Sequence, residues 1–79
     1  METNQKVYLY NPLKNDFVWP FAGVDQTLPS RKITAFPKPI ADLLAKHLAQ
    51  KMTQEDGVGA GSQYEFNYNK YLHDIYVKL

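Results

Sequence analysis

Short apolar runs separated by polar breaks fill the first half of the chain, and a helical repeat follows. Lys6–Tyr10 is β-branched and aromatic and stops at Asn11-Pro12. Pro12 cannot donate to a ladder and holds Asn11 in extended geometry, so a strand entering a turn is predicted there. The next extended piece, Asp16 to Phe21, places Phe17, Trp19 and Phe21 on one face. Pro20 within it marks an edge strand or a bulge. Ala22 to Leu28 reads as a polar hairpin tip around Gly23 and Asp25, with the return strand at Lys32–Phe36.

Ile40, Leu43, Leu44, His47, Leu48 and Met52 then recur at helical spacing and form one apolar stripe. Pro39 suits the first turn of that helix, where its missing N–H has no partner to lose. Gly57 is its natural stop. Asp42 is expected to pair with Lys46 one turn on. Phe17, Trp19 and Phe21 are expected to pack against Ile40, Leu44 and Leu48, the alternative being that one of them anchors a partner. Ala41, Ala45 and Ala49 form a second, small-residue stripe beside the first. It has two readings: alanine as a good helix former, or a face for close contact with another chain. His47 falls in the apolar arc and reads as a packed or half-exposed side chain rather than a ligand.

Residues 57–62 read as a glycine-rich linker. Beyond it, Gln63 to Tyr68 alternates polar and aromatic residues, the pattern of a half-buried strand. Tyr71 to Leu79 fits two patterns. Tyr68, Leu72, Ile75 and Leu79 suit a helix; His73, Ile75, Val77 and Leu79 suit a strand, which the β-formers Ile, Tyr and Val favour. The expected organisation is a strand-hairpin-helix unit over 1–56, the linker 57–62, and an aromatic arm or strand over 63–79 within one domain. The expected fold class is α+β: a small antiparallel sheet of three to four strands, one amphipathic helix and a C-terminal arm.

Composition sharpens this picture at a few points. A chain of 79 residues buries only about 60% of the surface its unfolded form exposes, so its stability margin is thin. It contains no cysteine, which removes disulfides, thiolate metal sites and a cysteine nucleophile. With only His47 and His73, no tight metal-ligand spacing is present. Docking onto another chain is the stabilising device left. Aromatic residues make up 14% of the chain, with six tyrosines among them, a composition suited to interfaces. Tyr64, Phe66, Tyr68, Tyr71 and Tyr76 are therefore the candidate partner-contacting residues, together with Ala41, Ala45 and Ala49.

Other chemistry is poorly represented. Gly57 to Gly61 follows a helix rather than preceding one and lacks the lysine of a phosphate loop. His73-Asp74 would point to opposite faces of a strand, and the carboxylates are scattered. No reaction, cofactor or metal is nominated, and a non-enzymatic role is expected. The net charge is +1, far from that of a dedicated duplex-DNA or membrane-surface binder. The polar start Met1 to Lys6 does not resemble a signal peptide, and no run approaches the ~18 apolar residues of a membrane span. Charge is nevertheless uneven: Arg31, Lys32, Lys38, Lys46 and Lys51 face only Asp42 over residues 31–51. This basic belt suits an acidic surface or phosphate backbone, or is an ordinary solvated face. Tyr64, Phe66 and Tyr68 lie in an acidic segment away from it, which weighs against nucleic-acid stacking.

The run Val7-Tyr8-Leu9-Tyr10-Asn11-Pro12, then Asp16-Phe17, then Thr34-Ala35-Phe36-Pro37 leading into Ile40 to Ala49, resembles small structural and accessory proteins of tailed bacteriophages. The resemblance covers residues 6–52, with Phe36-Pro37 and Ala45-Lys46-His47-Leu48-Ala49 its most specific parts. Leu28-Pro29-Ser30-Arg31 departs from the glycine-containing turn of such proteins, and the linker and tyrosine tail have no counterpart. The resemblance implies a virion component assembled in the bacterial cytoplasm, namely capsid decoration or a head–tail connector or neck protein. It carries over no catalytic residues. Its implied partners are other virion proteins or further copies of itself. The competing expectations are a phage-encoded host-modulating binding protein and a single-stranded nucleic-acid binder using the 31–51 belt.

Overall fold

A computed structural model describes residues 5–57 and 61–78. Its elements in order are β1 (Lys6–Tyr10), β2 (Phe17–Phe21), β3 (Val24–Leu28), β4 (Ile33–Pro37), α1 (Lys38–Glu55), α2 (Ser62–Ile75) and β5 (Tyr76–Val77). They form an α+β fold with two antiparallel sheets, one ordered β4-β1-β5 and the other a β2-β3 hairpin. Both helices pack on this framework. Leu9, Phe17, Leu28 and Phe36 from the strands meet Leu44, Leu48 and Ile75 from the helices in one buried cluster.

The strands at 6–10 and 17–21 and the helix from Pro39 match the sequence reading, but the return strand of the hairpin does not. Residues 24–28, expected as a polar tip, are β3, and they pair Phe17↔Leu28 through Phe21↔Val24. The turn is only Ala22-Gly23, with φ of 52° and 81°. Two successive left-handed residues make the tight turn whose twist suits adjoining strands, so the chain reverses early. Residues 33–37 are thereby released to pair with β1, with Val7 opposite Phe36 and Leu9 opposite Thr34.

The second correction concerns the tail. Among the described residues neither the strand over 63–68 nor a full strand from 71 onward forms; helix α2 runs through Ile75, only Tyr76–Val77 pair with β1, and Leu79 lies outside the described residues. Tyr68, Tyr71, Leu72 and Ile75, at helical spacing, pack on the core. A strand would have buried Tyr64, Phe66 and Tyr68 instead. The helical solution satisfies more large side chains at the expense of Phe66, which is left 66% exposed. Of the predicted linker, Gly57 ends α1 with φ 76°, Ser62 opens α2, and 58–60 lie outside the described residues.

A polar hub fixes the loops. Asn11 is wholly buried; its Nδ2 donates to the carbonyls of Leu28 (2.9 Å) and Asn15 (3.0 Å), and its Oδ1 accepts from the Leu13 amide (2.9 Å). Its own carbonyl accepts from the Arg31 amide at 2.7 Å. The end of β1, the end of β3 and the β3–β4 turn are thus held together by one residue, through its side chain and its backbone carbonyl. Ser30 adds a hydroxyl bond to the Leu13 carbonyl at 2.6 Å and an amide bond to Asp16 at 2.9 Å.

Candidate functional site

The β2-β3 hairpin is covered at its base and loses that cover towards its tip, which creates the most distinctive surface. Residues paired across a hairpin share a face, so Phe17/Leu28, Trp19/Gln26 and Phe21/Val24 all lie on the side that meets α1. Phe17 and Leu28 are buried, Trp19 and Gln26 are half-buried, and Val24 is 60% exposed. The apolar face therefore emerges into solvent towards the tip. On the opposite face Val18 is 47% exposed.

Where the hairpin leaves the helix, three rings stack in sequence. Phe17 and Trp19 lie 6.1 Å apart and 11° from parallel, and Trp19 and the His47 imidazole lie 4.0 Å apart at 16°. Trp19 packs against the buried cluster and meets the helix through its stack on His47. Gln50, Lys51 and Gln54 continue the same helical face and, with these rings, line an open depression of about 320 Å³. Its floor is aromatic and its rim carries amides and one ammonium. Such a lining offers apolar contact and hydrogen bonding to a group that enters it.

The aromatic residues of the tail do not act as a unit. Tyr76 donates its hydroxyl to Asp42 at 2.8 Å, and Tyr71 donates to Asp56 at 2.5 Å, an oxygen that also accepts from Asn67 at 3.2 Å. These contacts tie α2 and β5 to α1. Burial, then the bond to Asp42, pushes the Tyr76 phenol far above the ordinary tyrosine range. The acceptor bond to Asp56 chiefly raises Tyr71, and burial chiefly raises Tyr68. Burial alone would raise Asp42, but the bonds from Lys38 and Tyr76 and the charge of Lys38 together hold it below its ordinary 3.8. Tyr64 stacks on Tyr68 with centroids 6.4 Å apart, and Phe66 stands free in solvent.

Two further expectations change. Ala41, Ala45 and Ala49 are completely buried inside the fold, so the stripe is core and presents no face to another chain. Their small side chains fit α1 against the remaining elements, a role that spacing alone could not separate from an exterior seam. The basic belt is dispersed. Lys38 pairs with Asp42 at 3.0 Å, in place of the expected Lys46, and Lys51 pairs with Glu55 at 3.2 Å. Arg31 and Lys32 lie exposed at the β3–β4 turn, and Lys46 forms no ion pair among the described residues. His73 and Asp74 are exposed on α2. No group of three potential metal ligands occurs among the described residues, and no helix there is long and apolar enough to cross a membrane.

The depression was only partly legible in the sequence. Trp19 and His47 stood out singly, but their stacking depends on hairpin register. Asn11, which holds the loops behind the hairpin, gave no signal beyond its place before Pro12. Comparison with known proteins gives no matching family model, and no curated protein or solved structure matches the chain.

Proposed function

We propose that this protein is a non-enzymatic component of a tailed-bacteriophage virion, either decorating the capsid or sitting at the head–tail connector or neck, and that it works through protein contacts. The observation that supports this most is the overhanging hairpin, whose apolar face passes from full burial at Phe17/Leu28 to solvent at Val24. A strand face only partly covered by its own domain, with Phe21 half-buried and Val24 exposed at the tip, suits contact with a neighbouring protein. The resemblance over residues 6–52 supplies the phage setting. Assembly then takes place in the bacterial cytoplasm, and the partners are other virion proteins.

Quantitative mass spectrometry of extensively washed particles tests this reading. The expected result is a fixed copy number per particle, lost in a Val24→Asp variant that remains folded. Absence of the wild-type chain from particles, with abundant free protein in infected cells, refutes it and favours a host-modulating binding protein.

A further inference from the structure

We propose that the depression between β2 and α1 receives the Phe66 side chain of a second copy of this chain, joining copies head to tail. The inference rests on the assembly reading above and names one partner of that surface.

A single exposed apolar side chain is ordinary on a protein surface. Phe66 matters because a complement to it exists on the same molecule. It is the most exposed large apolar residue among those described, at 66%, on a helix whose Tyr68, Tyr71 and Leu72 pack inward. The depression is open, floored by Phe17, Trp19 and His47, and about 320 Å³ in volume. A dry cavity of about 150 Å³ accommodates benzene, so one phenyl ring fits with room for the flanking backbone. Ring edges and faces already aligned in a stack suit an incoming aromatic side chain.

Charge favours the same pairing. Lys51 lines the depression, and Lys46 lies one helical turn before Gln50 at its rim. Glu65 immediately precedes Phe66, and Asp74 lies further along α2; Lys70 and His73 are the basic side chains of that helix, Tyr64, Tyr68 and Tyr71 its phenols, and Glu55 shares the charge of Lys51. Within α2, Glu65 and Asp74 outweigh Lys70, whereas Lys46 beside the depression has no ion-pair partner among the described residues. Opposite patches attract in a head-to-tail contact, whereas two like patches brought together repel.

The depression belongs to β2 and α1, whereas Phe66 is carried by α2. Contact between different patches is heterologous, so it closes into a ring or continues as a filament. One knob buries far less than the ~1,200 Å² typical of a stable interface. The free protein therefore associates weakly, and the contact gains strength once neighbouring copies are held on a common surface.

Sedimentation velocity over a concentration series, read together with Trp19 emission, tests the contact. Trp19 is the single tryptophan of the chain and lies in the depression. With rising concentration the wild type should gain average mass while Trp19 emission moves to shorter wavelength. Phe66→Ala should shift both transitions to at least about tenfold higher concentration, with circular dichroism unchanged. Lys46→Glu should weaken association, and Lys46→Glu with Glu65→Lys should restore it. Mass and emission independent of concentration, or a Phe66→Ala variant that associates like the wild type, overturns the proposal. Self-association of a protein missing from particles refutes the virion role while leaving this contact standing. Particle incorporation without self-association does the reverse.

Discussion

Replacing Asn11 with alanine is the sharpest test of how this fold is held together. The side chain is fully buried and makes three hydrogen bonds, to the carbonyls of Leu28 and Asn15 and from the amide of Leu13. The Leu28 carbonyl bond is the buried one, and leaving that acceptor unsatisfied costs about 1–3 kcal/mol. The other two groups are part-buried and can recover water, so each contributes at most about 0.5 kcal/mol. A total of about 1–4 kcal/mol follows, a large fraction of the 5 or so expected for a domain this small. Urea unfolding followed by Trp19 emission and by circular dichroism measures it. Asn11→Asp adds a directional check: it keeps the acceptor for Leu13 but turns a carboxylate oxygen towards two carbonyls. At neutral pH it should be less stable than Asn11→Ala, and it should recover on acidification as the carboxyl gains a proton to donate. A loss below about 1 kcal/mol for Asn11→Ala, or an Asn11→Asp variant more stable than Asn11→Ala at neutral pH, would show that the hub does not anchor the loops.

Other predictions probe packing and protonation. Ala45→Leu, at a fully buried position, should destabilise the isolated chain by about 1–3 kcal/mol through overpacking; a neutral result would return the alanine stripe to the surface. His47→Ala should move Trp19 emission to longer wavelength and cost about 1 kcal/mol in urea unfolding, because the stacked partner at 4.0 Å is lost. Stability should fall as pH rises above about 10, the ordinary tyrosine value, because the unfolded chain ionises there while Tyr76 stays protonated in the fold. Tyr76→Phe should flatten that alkaline slope in thermal unfolding. At the acid end, the depressed Asp42 carboxyl gives stability present above about pH 4 and lost as pH falls through its folded value. Asp42→Asn should remove this contribution.

Local pattern alone determined the strands at 6–10 and 17–21, the helix that follows Pro39, and the α+β class, because each element shows one periodicity and a proline or glycine lies at or near its end. Where two periodicities coexisted, only the tertiary structure decided. Tyr64-Glu65-Phe66-Asn67-Tyr68 alternates like a strand, yet Tyr68, Tyr71, Leu72 and Ile75 together bury more apolar surface against the core as a helix, and Phe66 stands outside as the consequence. Residues 24–28 became a strand because an Ala22-Gly23 turn reversed the chain at once, a backbone choice that their polar side chains did not disclose. The alanine stripe, the Trp19–His47 stack and the Asn11 hub each depend on partners distant in sequence. Spacing along a chain states which residues share a face. What that face meets is settled by packing and hydrogen-bond satisfaction in three dimensions, and so the depression beside Trp19 came from the fold.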